Sequence, residues 1–175
     1  ANDIMWADGE GMAQIMYLLG VKPVWQSNGH VSGFEIIPLD QLGRERIDVT
    51  VRISGIIRDN FSICINIIDE AIQAVASLPE PPEKNFVRKH ALAQIANQNA
   101  DENDPVAWRD ATLRIFASKP GSYSAGTQLA VYASAWKDEK DLADIFVYWN
   151  GYAYGKGVFG EEKHIQLTEN LKTVD

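Results

Sequence analysis

The sequence predicts an α/β fold: a mainly parallel sheet of three to four strands with helices on both faces. Three observations carry that expectation. Residues 47–54 alternate, with Ile47, Val49, Val51 and Ile53 on one side and Asp48, Thr50, Arg52 and Ser54 on the other, the period of a strand with one buried face. The period then changes: Phe61, Cys64, Ile65, Ile68, Ala71, Ile72 and Val75 share a helical stripe, while Ser62, Asn66, Asp69, Glu70, Gln73 and Ser77 gather opposite. Residues 113–117 then return as another apolar strand, and strands separated by helices are joined by crossovers that suit parallel pairing.

The elements follow in order. Met12, Ile15, Met16 and Leu19 form a helical stripe, with Asp8 as the expected N-cap and Gly20 ending the helix. Residues 21–25 read as a strand, and residues 34–37 as a second one between the Asn28-Gly29 turn and Pro38. Residues 40–43 look like one helical turn. After the 47–54 strand, Asp59 is placed to cap a long helix over residues 60–78. Pro79-Glu80-Pro81-Pro82 breaks the chain, and a second helix runs from about Glu83 to Asn97. Past the 113–117 strand come a loop at 118–126, a helix at 127–134, and a helix capped by Asp138 with the stripe Leu142, Ile145, Phe146 and Trp149. An aromatic segment broken by Gly151, Gly155, Gly157 and Gly160 precedes a last helix from about Gly160 to Lys172.

Length and composition narrow the classes. A chain of 175 residues, 46% hydrophobic and 23% charged, suits one module over residues 1–175, because the polar stretch 97–104 is too short to separate two domains. Sixteen basic against twenty-four acidic residues give a net charge of −8, which argues against a nucleic-acid partner. Cys64 is the single cysteine, so no internal disulfide, cysteine zinc cluster or iron–sulfur centre can be built by this chain alone. The apolar runs fall far short of the ~20 residues of a membrane span. With no secretory signal pattern, a cytoplasmic protein is expected. The ends at Ala1 and Asp175 suggest a piece of something longer.

Three segments could carry chemistry. Arg52, Ser54, Arg58 and Asp59 follow a strand's carboxyl end, where ligand crevices form, although Arg58 and Asp59 read equally as a surface pair. Arg88 falls inside the apolar arc of Val87, Ala91, Leu92 and Ile95, so its guanidinium needs a partner, either a core carboxylate or an anionic ligand. His90 sits at that arc's edge, a structural residue or a chemical one. The hydroxyl-rich loop Ser118–Gly126 suits an anion at a helix N-terminus, or is a tight turn, and lacks the nucleotide P-loop order. Asp8-Gly9-Glu10-Gly11 lacks the third glycine of a dinucleotide fingerprint. His30, His90 and His164 have no metal-ligand spacing, and no G-x-S-x-G motif is present.

Longer motifs go further. Leu18–Trp25 (LLGVKPVW), Ile37–Arg44 (IPLDQLGR), Arg46–Gly55 (RIDVTVRISG) with Arg58-Asp59, Asn85–His90 (NFVRKH), and Arg114-Ile115-Phe116 with Gly121-Ser122-Tyr123 resemble, in order, the large subunit of the cobalt and magnesium chelatases. Ser118-Lys119-Pro120-Gly121 and Trp149–Gly155 (WNGYAYG) look more like the cobalt branch.

The resemblance implies an excised part of the tetrapyrrole-binding catalytic subunit of an ATP-dependent cobaltochelatase, inserting cobalt into a corrin precursor in cobalamin biosynthesis. The alternatives are the magnesium chelatase large subunit or a docking domain for the partner subunits. Its implied partners are the tetrapyrrole, the remainder of the large subunit, and AAA+ subunits that use the ATP. The divalent metal is substrate, cobalt rather than magnesium. Metal insertion releases two pyrrole protons, so it needs a base, a transient metal ligand and cations for peripheral carboxylates. By residue type, His90 is the expected base and metal ligand, Arg58, Arg88 and Arg114 the carboxylate partners, and Tyr123 an orienting group. The isolated piece is expected to be inactive.

Overall fold

The computed structural model describes Ile4 and residues 6–174. Helix α1 (Glu10–Leu19) ends as expected at Gly20, which adopts φ 76° and donates its N–H to the carbonyls of Met16 and Tyr17. Gly9, rather than Asp8, occupies the N-cap position, so no side chain caps that end. Strands β1 (Val21–Trp25) and β2 (Val31–Ile36) form an antiparallel hairpin with its own two-stranded sheet. A single turn, α2 (Leu39–Leu42), follows.

Arg46 then ties these pieces together. Its side chain is fully buried, and every guanidinium N–H group is engaged. Nε and Nη2 grip the Glu80 carboxylate at 2.7 and 2.9 Å, Nη1 reaches the carbonyls of Leu19 and Gly20, and Nη2 also reaches that of Ile37. A Cβ on Gly20 would lie 2.5 Å from Arg46 Nη1, so this position needs glycine both for its φ and for the close approach.

The expected 47–54 strand is shorter than its alternation suggests. Only β3 (Val51–Arg52) joins the sheet, because the preceding backbone bonds elsewhere: Arg46 exchanges hydrogen bonds with Lys84 and Phe86, and Ile47 donates to Leu18. The expected 60–78 helix is two helices. In α3 (Gly55–Asn60) Ser54 Oγ accepts from the Ile57 N–H; Phe61 leaves helical geometry, and α4 (Ser62–Ala76) starts afresh. Asp59 therefore caps nothing. Helix α4 buries Ile65, Ile68, Ala71, Ile72 and Val75 as its stripe requires. It also buries Asp69, which the wheel puts on the polar side; Arg109 grips this carboxylate at 2.9 and 3.0 Å, and Gln73 and the Lys156 N–H donate to it.

Helix α5 (Phe86–Asn97) begins three residues later than Glu83, capped by Asn85, whose side chain accepts from the Arg88 N–H. Then come α6 (Pro105–Ala111), β4 (Ile115–Ala117), α7 (Thr127–Tyr132) and α8 (Glu139–Asn150), the last capped by Asp138 as expected. Strands β5 (Tyr152–Gly155) and β6 (Val158–Glu162) precede α9 (His164–Leu171), which begins after Gly160 because residues 158–162 belong to β6.

The main sheet runs β3-β4-β5-β6. Only β3 and β4 are parallel; β4–β5 and β5–β6 are antiparallel. This corrects the mainly parallel expectation. The glycine-broken aromatic segment is a hairpin turning through Lys156-Gly157, with Gly157 at φ 75°, and so short a connection can join only antiparallel strands. Along β4, Ile115 and Ala117 join the core made with α4, while Phe116 joins Ala153, Val158 and Leu167 with Phe146 and Val147. Helices thus pack on both faces, α4 on one and α8 with α9 on the other. Among the described residues no helix is long and apolar enough to cross a membrane.

Arg46→Leu is expected to cost about 3–5 kcal/mol in chemical denaturation, since it leaves Glu80 and three carbonyls without their cation. Gly20→Ala is expected to cost at least about 1 kcal/mol. Because both changes break one contact, the double variant should lose less than the sum, which a double-mutant cycle measures directly.

Candidate functional site

The sequence-derived candidates fall in three places. The first is where β3 is approached by α5. Asp48, assigned by alternation to the outward side of its strand, is turned inward, its side chain 8% exposed. Arg114, buried just ahead of β4, directs Nε to both of its oxygens at 3.0 and 3.1 Å, and His90 Nδ1 lies 2.9 Å from Oδ2. Arg114 Nη1 donates to the carbonyls of Ala111 and Leu113; Nη2 is buried without a hydrogen-bond partner. Burial works against charge on Asp48, yet the Arg114 cation and the hydrogen bonds from His90 and Arg114 outweigh it and hold the carboxyl below its usual range. Asp48 and His90 line a cavity of about 670 Å³ shared with Thr50 and Phe86. No nitrogen of His90 other than Nδ1 has a hydrogen-bond partner among the described residues.

The second place is the start of α3. Arg58 is 1% exposed, with Nε and Nη2 on Asp59 at 2.6 and 3.0 Å and Nη1 held by the carbonyls of Ser118, Lys119 and Ser122. Three carbonyls of the 118–126 loop are thus turned toward an internal cation. Tyr123, 66% exposed, donates its hydroxyl to Asp59 at 2.6 Å, and its ring lies 5.3 Å from the Arg58 guanidinium. The Arg58 hydrogen bonds, with that of Tyr123, hold Asp59 at about 2; donating to the Asp59 carboxylate in turn raises the Tyr123 hydroxyl.

Arg88 occupies the third. Within the chain its partners are a carbonyl and an aromatic ring, not the core carboxylate that the sequence allowed. Nη1 donates to the carbonyl of Ala76, the last residue of α4, where the helix end is partially negative, and the guanidinium lies 5.8 Å from the Trp108 ring centre. Nε and Nη2 make no hydrogen bond among the described residues. Arg88 lines a separate cavity of about 370 Å³ with Ser77, Asn103 and Trp108.

The structure thus joins His90 to Arg114 through Asp48 and Arg58 to Tyr123 through Asp59, and leaves Arg88 apart. Sequence reasoning missed Asp48. The available signal was Arg114 itself, a cation inside the apolar run 113–117 that had to meet a buried acid. Among the described residues no group of three or more His, Cys, Asp or Glu side chains is placed to hold a metal ion.

Comparisons with known proteins extend the geometry. Residues 1–175 match the CobN/Magnesium Chelatase family. The chain is 57% identical to an uncharacterised protein of Methanocaldococcus jannaschii, over 100% of this chain and 14% of that one. It is 41% identical to the aerobic cobaltochelatase subunit CobN of Pseudomonas aeruginosa, over 97% of this chain and 14% of the relative. The magnesium-chelatase subunit ChlH of Oryza sativa subsp. indica is 39% identical, over 95% of this chain and 12% of the relative. The solved catalytic subunit of cobaltochelatase from Mycobacterium tuberculosis superposes with a TM-score of 0.89 at 38% identity, covering 97% of this chain and 14% of that chain. The chain therefore spans only 12–14% of the length of these relatives. With the same fold and a match running from its first residue to its last, this chain belongs to the CobN/magnesium chelatase family.

Proposed function

We propose that this chain is the part of a cobaltochelatase-type large subunit in which His90 serves metal insertion into a tetrapyrrole. The observation that carries the reading is the cavity where His90 rests on Asp48 and Arg114 and keeps one ring nitrogen without a partner. Insertion requires two pyrrole protons to leave as the divalent metal arrives, and an imidazole can accept a proton or bind a metal transiently. The whole subunit works in the cytoplasm with AAA+ partners that hydrolyse ATP, and the product is the cobalt form of a corrin precursor on the way to cobalamin.

Donor occupancy ranks the arginines as carboxylate partners. Arg88 has two nitrogens without partners and a cavity beside it, so it is the foremost candidate. Arg114 offers Nη2 alone, and Arg58 has its nitrogens committed to Asp59 and the loop. Tyr123, exposed beside Asp59, orients substrate from the surface. The motifs at 118–121 and 149–155 favour cobalt. Magnesium is the second reading, favoured by the 39% identity to the rice magnesium-chelatase subunit, close to the 41% of the Pseudomonas cobaltochelatase subunit. The complete engagement of Arg58 favours a packing role for that motif, as a docking domain would have.

The test uses the full-length large subunit with its partner subunits. His90→Ala is expected to slow metal insertion by about 100-fold or more, with tetrapyrrole binding intact by tryptophan quenching. Arg88→Ala should weaken that binding by about tenfold. Cobalt should be inserted in preference to magnesium, and the 175-residue chain by itself should insert neither. An unchanged insertion rate in His90→Ala would remove His90 from the reaction.

A further inference from the structure

We infer that Asp48 is a positioning residue for the reaction: it fixes the imidazole of His90 as the tautomer whose free Nε2 serves the cavity, with Arg114 fixing Asp48 in turn. The inference rests on the reading of His90 given above and adds to it the group that makes His90 competent.

The geometry is a relay of three side chains from three separate parts of the chain. Arg114 Nε donates to both Asp48 oxygens, and Asp48 Oδ2 lies 2.9 Å from His90 Nδ1. A carboxylate held by a guanidinium is an acceptor only, so the hydrogen in the His90 contact belongs to Nδ1. A neutral imidazole carrying its hydrogen on Nδ1 presents a lone pair at Nε2. Nε2 is also the ring nitrogen that no described residue contacts by hydrogen bonding, on a side chain that lines the cavity. The Phe86 ring lies 6.2 Å from that of His90, centre to centre, tilted by 35°.

The transfer of one of the two pyrrole protons balances with His90 alone, the second leaving to water. A pyrrole N–H bond breaks, its electron pair stays on the nitrogen that binds the metal, and a bond forms between the proton and Nε2. The resulting imidazolium keeps its Nδ1–H on Asp48, whose charge stabilises it; Asp48 takes no proton. With the opposite tautomer, Nε2 carries a hydrogen and can neither accept the pyrrole proton nor bind metal. Removing the partner that orients a working histidine costs 10–100-fold in metal-binding sites, the scale expected here.

The decisive experiment is a double-mutant cycle on the full-length large subunit assembled with its partners, reading metal insertion and tetrapyrrole binding separately. Asp48→Asn keeps the size and one acceptor oxygen but lets the side chain donate to Nδ1, favouring the wrong tautomer. It should lower kcat about 10–100-fold with tetrapyrrole affinity unchanged, and Asp48→Asn combined with His90→Ala should be no slower than His90→Ala alone. Insertion by Asp48→Asn at the wild-type rate, or losses that multiply in the double variant, would overturn the inference while His90→Ala remains slow. Full activity in His90→Ala would instead overturn the underlying reading. If Asp48→Asn loses the fold, Asp48→Glu restores a carboxylate: recovered stability together with recovered kcat supports the inference, and recovered stability without kcat refutes it.

Discussion

One guanidinium sets the frame on which the rest is arranged. Arg46 is buried with its five N–H groups met by Glu80 and by carbonyls at the ends of α1 and β2. A buried charge that is only partly paired is strongly destabilising, so this arrangement is stable only when every contact forms together. That requirement fixes α1, the hairpin and the proline-rich turn after α4 relative to one another. It also sets where the chain can enter the sheet: Arg46 exchanges backbone hydrogen bonds with Lys84 and Phe86, which holds the start of α5 beside the residues leading into β3. Asp48, two residues on, and His90, on the first turns of α5, meet because of that join.

The parts legible in the sequence are those that short-range periodicity encodes. The α4 stripe, the Gly20 stop and the Asp138 cap are local statements about neighbouring residues, and the structure contains each of them. What the sequence hides are long-range ionic pairs. Asp48 and Asp69 both stand on the polar side of their periodic pattern, and both are buried because Arg114 and Arg109, more than 35 residues away, come to them. A hydropathy pattern assigns a carboxylate outward since a lone one is costly to bury; it carries no information about a distant cation. The mixed sheet escaped notice for a related reason. Tyr152–Glu162 is rich in glycine and aromatic residues, and only the two-residue turn at Lys156-Gly157 reveals the hairpin.

Close approach explains one of those glycines. Where the β5–β6 turn passes over α4, a Cβ on Gly155 would stand 2.4–2.7 Å from the Asp69 carboxylate. The backbone N–H of Lys156 can then donate to Asp69, so an acid buried in a helix is satisfied by the turn of a hairpin. The same logic recurs at Arg58, whose charge is met by carbonyls of the loop that follows β4. Internal ions in this chain organise loops, and residues that look like ligand contacts in sequence can be loop anchors in space.

Arg88 and His90 show how this division bears on the chemistry. They are two positions apart on α5, and residues so spaced point to different sides of a helix. Arg88 lies against the end of α4 and Trp108; His90 lies against Asp48. A macrocycle whose carboxylate is held by Arg88 and whose nitrogens are served by His90 must therefore cross the face of α5 between two cavities, since neither residue lines the other's. The two assignments are thus coupled by geometry: Arg88 in carboxylate recognition demands a substrate lying over α5, whereas a macrocycle confined to the His90 cavity takes its carboxylate partners from elsewhere in the subunit. Relatives about seven times as long have ample chain for the second arrangement, in which Arg88 would serve only to brace the end of α4 against Trp108.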